Sequence, residues 1–333
     1  MRAEKRPEAG SRIVATGGLF GIWSRARAEA SFWQGVFYDA LRFRRHAWFH
    51  RVRTPESRAA RMLADAHFLE YGMAIHGARP GFGMARAARL ASDLREEGAD
   101  RTAGAIGLAT LRAWADFNSR TALPRGVEQA LALSGGEGIA AGVSGARLAP
   151  SAPGVDFLAF AQSRRSVRQF ASGPVPEQAI RRAVAAAQAA PSSCNRQSCT
   201  AHVWTDRPLI ERVRRHQAGN RTFGHELGGI AVITSDLRNW EHGGERYQAW
   251  IDGGLFAMSL CHGLHAEGLG TCFLNWSVTP ATDRALRAEL RLDDSQLVIV
   301  LLGFGLMPED VTVCASPRLS EAEALRLNPS LAD

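Results

Sequence analysis

Ser163-Arg164-Arg165-Ser166-Val167-Arg168-Gln169-Phe170 and, about twenty residues further on, Ala190-Pro191-Ser192-Ser193-Cys194-Asn195-Arg196-Gln197-Ser198 are the two stretches on which the reading of this chain turns. The first puts three guanidiniums and a hydroxyl within five residues, directly after a segment with helical spacing. Charge this dense in a loop is ordinarily solvated. Set against an anionic ligand it becomes a clamp, because a guanidinium offers planar, paired donors to phosphate or carboxylate. The second stretch leaves a helical segment and enters a strand-like one. Its small hydroxyls and carboxamides can present donors and acceptors to the edge of a heterocycle, although turns use the same residue types for local reasons.

Around these stretches helices and strands alternate. Apolar periodicity predicts helices over about 155–163, 177–189, 207–218, 247–267 and 280–290, and strands over 200–205, 229–235, 270–275 and 296–304. Pro174-Val175-Pro176 and Pro191 bracket the second helix as a start and a stop. Upstream, 31–52 reads as a helix on which Trp33, Val36, Phe37, Ala40 and Leu41 share a face, and 55–118 as helical with a break at Gly77-Ala78-Arg79-Pro80-Gly81-Phe82-Gly83. Periodicity is lost over 119–153, where Ser134–Gly145 is rich in glycine and Pro150 and Pro153 follow. Two domains result: a helical N-terminal region with its linker over 1–150, and an α/β or α+β domain over 151–333. Gly135-Gly136-Glu137-Gly138 looks like half a phosphate loop, but no strand leads into it and no lysine ends it.

Arg164-Arg165-Ser166-Val167-Arg168-x-Phe170 followed by Pro191-Ser192-Ser193-x-Asn195-x-Gln197 resembles the flavin-dependent nitroreductase family. Later features keep that family's order. Ile251-Asp252-Gly253-Gly254 opens a long helix to Ala266, which runs into Gly268-Leu269-Gly270-Thr271-Cys272, and the strand Leu297 to Gly305 is followed by Ser316-Pro317-Arg318. The resemblance covers about 155–328. It implies a nitroreductase-like α+β sandwich, a central mostly antiparallel sheet flanked by helices, that binds FMN and forms an intertwined homodimer with two active sites at the interface. By that resemblance Arg164, Arg165, Ser166 and Arg168 hold the phosphate and ribityl chain, and Arg318 adds a phosphate contact. Pro191, Ser192, Ser193, Asn195 and Gln197 approach the flavin, in the family often from the other subunit, while Leu269, Gly270 and Thr271 lie near the isoalloxazine ring. Ser198 departs from the pattern, standing where the family often has proline. An arginine-rich site suits a phosphate dianion, whose burial requires paired cations or many donors. Flavin carries hydride and electron transfer itself, so no residue is assigned as catalytic acid or base.

The implied activity is an FMN-dependent oxidoreductase that takes electrons from NAD(P)H or another donor and passes them to a small-molecule acceptor. A narrower resemblance, to nitroreductase-like proteins associated with polysaccharide biosynthesis, rests on His67-Phe68-Leu69-Glu70-Tyr71-Gly72-Met73, Arg79-Pro80-Gly81-Phe82-Gly83, Gly219-Asn220, Gly224-His225 and Leu274-Asn275-Trp276-Ser277. The alternative is a noncatalytic flavin-binding or assembly protein that docks to a membrane or a partner. Cys261 and His265 share a helical face, but two ligands are too few for a metal site. Asp252 reads as a helix cap or orienting residue.

Composition narrows the rest. The 333 residues are 22% charged and 46% apolar, a soluble globular mix, and the net charge of +7 sits at one end: residues 1–62 hold 13 Lys+Arg against 5 Asp+Glu, the remainder 27 against 28. That imbalance, with no accompanying motif, gives no reason to invoke nucleic acid. The aromatic helix at 31–52 is expected to pack on its own protein or on a dimer partner, with docking to an anionic membrane as the alternative. Five cysteines without a Cys-x-x-Cys pair argue against a disulfide framework. No run approaches the roughly 18 apolar residues of a membrane span, and a cytoplasmic location is expected.

Overall fold

The structure, a computed structural model, describes residues 19–119, 123–135, 144–147 and 154–330. Most of the glycine-rich stretch, Pro150, Pro153 and the boundary near 150 lie outside the described residues. The helices that come first are α1 (Leu19–His46), α2 (Pro55–Ala74), α3 (Met84–Glu97), α4 (Thr102–Phe117) and the short α5 (Val127–Leu131). Helix α2 starts where its sequence says it should: Thr54 caps it through the Ser57 amide, Ser57 bonds back, and Pro55 occupies the first turn. Leu69, Leu90, Leu94, Leu108, Leu111 and Trp114, none of them exposed, close a core among α2, α3, α4 and α5. The break at 77–83 is present, and Phe82 turns it into a packing device. Its ring lies where a Gly72 side chain would be, and its carbonyl accepts from the Trp114 indole at 3.1 Å.

The chain continues through α6 (Phe157–Ser163), α7 (Glu177–Gln188), β1 (Cys199–Trp204), α8 (Arg207–Arg214), β2 (Gly229–Asp236), α9 (Gln248–Ala266), β3 (Leu269–Leu274), α10 (Pro280–Leu290), β4 (Gln296–Leu306) and α11 (Glu321–Ala324). The four strands form one antiparallel sheet in the order β1-β2-β4-β3. An α+β domain with helices on both faces of the sheet is what 151–333 predicts. Strand β2 is buried throughout and shows why two faces can be filled: Ile230 and Val232 enter one core, Ala231 and Ile233 the other.

Helix α9 lies on the second of those faces, and two glycines set how closely. In β4, Ile299 is the extra residue of a bulge opposite Ile233 and Thr234, and a Cβ on Gly253 would come within 2.6 Å of it. At the crossing with α7, whose buried face is Ala179, Ala183 and Ala187, a Cβ on Gly263 would stand 2.7 Å from the Ala183 Cα. Small residues on both helices therefore fix a backbone-to-backbone contact that holds α9 in place.

Boundaries differ from expectation in three places. The helix expected over 31–52 runs from Leu19 to His46 and stops because Trp48 pairs its amide with the Trp240 carbonyl at 3.0 Å while Phe49 and His50 turn to positive φ. The 55–118 segment has a second break, at Gly98, whose φ of 77° ends α3. The helix expected to reach 218 ends at Arg214. The aromatic face of α1 is a fourth difference: Trp33, Val36, Phe37 and Leu41 are 51, 40, 60 and 58% exposed in the protomer, and the buried positions are Arg42 and Phe43 instead. Among the described residues no helix is long and apolar enough to cross a membrane.

Candidate functional site

The segment after α6 does not stay a free loop. Ser166 bridges in parallel to Thr271 on β3, and the Val167 amide donates to the Thr271 carbonyl at 2.9 Å. This added strand-like step carries Arg164, Arg165, Ser166 and Arg168 onto the open edge of β3, beside Leu269, Gly270 and Thr271. A Cβ on Gly270 would sit 2.9 Å from the Val167 side chain, so the glycine permits that approach. Two of the sequence-derived groups are therefore brought together. Phe170 anchors the far end by donating its amide to Glu226 at 3.0 Å.

Arg164, Arg165 and Arg168 have no carboxylate partner among the described residues. Arg165 donates to the carbonyls of Gln162 and Arg164, and Arg168 points its Nη1 at the Cys314 sulfur, 3.9 Å away. Arginines elsewhere in the chain are paired: Arg182 with Glu267, Arg196 with Glu245 and Arg287 with Asp283. Arg164 lies against α9, where burial and then the Arg164 charge hold His262 and His265 below the usual histidine value. Burial pushes the Cys261 thiol up, opposed by the Thr271 hydroxyl 3.3 Å away and by Arg164. A cavity of about 170 Å³ opens beside this edge, lined by Ser163, Arg165, Val167, His265, Leu269 and Gly270 among others. Arg318 is elsewhere: it is exposed, donates to the Ser316 carbonyl at 2.7 Å, and touches none of the other arginines among the described residues.

The second stretch forms a tight turn at Ser193–Asn195 between α7 and β1. Cys194, Asn195 and Gln197 all hold left-handed backbone, at φ 51, 52 and 52°. Such conformations cost non-glycine residues of order 1–3 kcal/mol each and persist where surroundings impose them. Three contacts impose them here: the Gln197 amide donates to the Ser192 hydroxyl at 3.1 Å, the Ser193 amide donates to Asp252 at 3.0 Å, and Arg196 is buried against Glu245 at 2.8 Å. Asp252 is thus an orienting residue, but for this turn rather than as a cap of its own helix; its second oxygen accepts from Gln248 at 2.8 Å. No sequence signal connects Asp252 or Glu245 to the turn, since the contacts span 59 and 49 residues. Helix α2 packs against the same turn, bringing the N-terminal helices beside it. Pro191, Ser192, Gln197, Asp252 and Phe256 help line a separate cavity of about 90 Å³.

Among the described residues the arginine edge and this turn line separate cavities and share no hydrogen bond. Cys261 and His265 engage other groups, His265 lying 2.7 Å from the Ser163 hydroxyl, and among the described residues no group of three or more metal-binding side chains is assembled. Ser198 bonds Ser235 at 2.8 Å, which fastens the turn to β2 without a proline. Residues of the narrower motifs serve structural bonds: Glu70 accepts from the Gly145 amide at 3.0 Å, and Gln217 bridges Asn220 and Asn275.

A curated relative, 4-nitrobenzoate reductase of Pseudomonas putida, is 26% identical over 211 residues, covering 47% of this chain and 88% of that protein. Among solved structures, a putative nitroreductase in complex with FMN from Desulfovibrio desulfuricans is 21% identical, covers 54% of this chain and 100% of its own, and has a TM-score of 0.46. A nitroreductase-like protein from Streptococcus mutans is 19% identical, covers 52% of this chain and 98% of its own, with a TM-score of 0.47. The model of the nitroreductase family matches residues 161–223. That match spans Arg164–Arg168, α7 and the Ser192–Gln197 turn, and over this part the chain is similar to the nitroreductase family.

Proposed function

We propose that this chain is an FMN-dependent oxidoreductase which accepts reducing equivalents from NAD(P)H or another donor and reduces a small-molecule acceptor. The observation that carries this reading is the trio Arg164, Arg165 and Arg168, held at a sheet edge with no carboxylate to neutralise it among the described residues. Such a donor set fits the phosphate dianion of FMN, with Ser166 and the main chain of Leu269, Gly270 and Thr271 beside it. When bound, flavin supplies the hydride and electron transfer. What the chain would contribute is placement: Arg164, Arg165 and Arg168 would neutralise and hold the phosphate, with Leu269, Gly270 and Thr271 of the β3 edge beside the cofactor. The strained Ser192–Gln197 turn offers backbone and carboxamide groups to a ring edge.

Because arginine edge and turn stand apart in one protomer, we read the complete site as formed by two, with Pro191, Ser192, Ser193, Asn195 and Gln197 of one copy facing the arginine edge of the other. Arg318, whose guanidinium has no carboxylate partner among the described residues, would join the phosphate contacts there. The match to 4-nitrobenzoate reductase supports a redox activity. A place in polysaccharide biosynthesis rests only on the narrower motif resemblance.

Titrating FMN into the flavin-free protein and following the quenching of flavin fluorescence tests the reading. Saturable binding that weakens in Arg164→Ala and in Asn195→Ala supports it. Binding that neither substitution changes overturns the site, and bound flavin that no donor reduces turns the protein into a noncatalytic flavin binder.

A further inference from the structure

Arg164 is the first residue after α6, and one side chain of α9 holds the end of that short helix. Helix α6 buries no residue of its own. It lies on α9 through rings, Phe157 and Phe160 each meeting His262 edge-on at 5.6 Å and Phe160 standing 5.1 Å from His265. At its last residue the Ser163 hydroxyl lies 2.8 Å from the Phe160 carbonyl and 2.7 Å from Nε2 of His265. A hydroxyl has one proton to give. The carbonyl can only accept, so the proton goes there and Nε2–H of His265 donates to the Ser163 oxygen. That bond sets the tautomer: the lone pair of the neutral ring is on Nδ1, which has no hydrogen-bond partner among the described residues.

The charges acting on this ring are positive. Burial first, then the charge of Arg164 and that of His262, a turn earlier on α9, hold it below the usual histidine value. Arg165 shares its cavity, whose remaining walls from β3 and from the chain after β4, Leu269, Gly270, Met307, Val311 and Val313, carry no charge. Helix α6 presents only Ser163 and two phenyl rings, and Glu267, two residues further on, is taken by Arg182 of α7. His265 itself stands in the last turn of α9, where the unpaired carbonyls of a helix favour a cation.

We propose that His265 is a positioning residue of the phosphate site: neutral while the arginines stand unneutralised, it places Arg164 through Ser163, and it takes up a proton at Nδ1 when a phosphate dianion settles on them. This rests on reading the arginine edge as the phosphate site and adds the group through which that site responds to pH. A dianion brings two negative charges to three guanidiniums, which cancels the repulsion Arg164 exerts on the ring and sets an anion against the effect of burial. Linkage fixes the sign. A midpoint that rises on binding means proton uptake, so the extra affinity is present below the ligand-free midpoint and is lost as pH rises through the bound one.

The test is the imidazole titration of His265 in the full chain, followed by NMR with carbon-13-labelled histidine in ligand-free protein, with saturating FMN and with inorganic phosphate. The resonance is assigned by its disappearance in His265→Gln and by its shift in Ser163→Ala, with circular dichroism confirming both folds. The expected result is a midpoint that moves up with FMN and with phosphate. Glutamine places an N–H where Nε2 stands but takes up no proton, so His265→Gln should bind FMN as wild type does at about pH 8 and lack the gain wild type shows toward pH 6. His265→Ala lacks the bond as well and should bind roughly three- to tenfold more weakly at both. The ligand's own protonation is common to all three proteins and cancels in the comparison. A side chain that merely docked α6 on α9 would lower stability in the variants and leave the midpoint unmoved by ligand. A midpoint that bound FMN leaves in place, or a pH profile in His265→Gln identical to wild type, overturns the proposal while the flavin reading stands. A protein that binds no FMN although phosphate still moves His265 refutes the flavin reading alone, and one in which neither ligand moves it and FMN does not bind refutes both.

Discussion

Removing the Asp252 carboxylate should release the Ser192–Gln197 turn and weaken flavin binding while leaving the sheet intact. Asp252 is 2% exposed, so its bonds form with little competition from water. One oxygen accepts from the Ser193 amide at 3.0 Å and the other from Gln248 at 2.8 Å. A hydrogen bond to a charged acceptor contributes about 1.5–3 kcal/mol, and the turn it holds contains three left-handed non-glycine residues that each cost about 1 kcal/mol or more. Loss of the Ser193 bond therefore removes about 2 kcal/mol from the side that opposes the strain, enough to shift the turn's equilibrium by roughly thirtyfold. Asp252→Ala should show FMN affinity lowered by about ten- to thirtyfold in fluorescence titration, whereas Asp252→Asn, which keeps one carbonyl acceptor, should lose less. Hydrogen exchange at Ser193–Gln197 should rise in Asp252→Ala, with protection of β2 unchanged. Wild-type FMN affinity together with unchanged exchange in Asp252→Ala would refute the claim that this carboxylate holds the turn.

Arg164→Ala and Arg168→Ala should each weaken FMN retention by a charge-assisted contact of roughly 1.5–3 kcal/mol; equal retention in both, measured by flavin release on dilution, would show that the arginine edge is not the phosphate site. Asp283→Ala removes the carboxylate that accepts from Arg287 at 3.0 Å, from Tyr38 at 2.6 Å and from the Trp276 indole at 2.9 Å, and should cost about 1–3 kcal/mol in urea unfolding; a midpoint within error of wild type would sink that. Burial pushes the Asp294 carboxyl up, but hydrogen bonds from His46 and Arg287 and the Arg42 charge prevail and hold it at about 2. Its folded value lies below the unfolded 3.8, so the stability it contributes is present above pH 4 and is lost as pH falls toward 2. Since the side chain is 38% exposed, solvent screening reduces this to on the order of 1 kcal/mol; a thermal-melt profile over that range in Asp294→Asn should be correspondingly flatter than wild type. Gly263→Leu should destabilise by about 3 kcal/mol by forcing α7 from α9, and a wild-type melting temperature would contradict the close crossing.

The strands and most helices of the second domain were legible because their signals are local. β2 alternates between two cores residue by residue, and α10 begins and ends at Pro280 and Leu290 as periodicity predicts. The resemblance assigned Ser166 and Thr271 to one flavin without pairing them, and no local pattern announces their bridge across 105 residues. Asp252 reads locally as a residue that caps or orients its own helix, and its bond to a turn 59 residues away has no local signal. The stripe of Trp33, Val36, Phe37 and Leu41 has the spacing of a buried face and is exposed in the protomer, because periodicity reports that a face is apolar and not what covers it. The end of α1 at His46 was hidden as well, being set by the Trp48–Trp240 contact, whereas Gly98 did offer a stop signal for α3 that the reading over 55–118 passed by.

The proposed activity requires that this chain carry a working flavin. The direct measurement is the visible absorption spectrum of the FMN-loaded protein, freed of unbound flavin and mixed anaerobically with NADH or NADPH. The account predicts a protein-bound flavin spectrum that bleaches on addition of a donor and returns when an electron acceptor is admitted. A protein that emerges colourless after FMN loading, with its fold intact by circular dichroism, would contradict it.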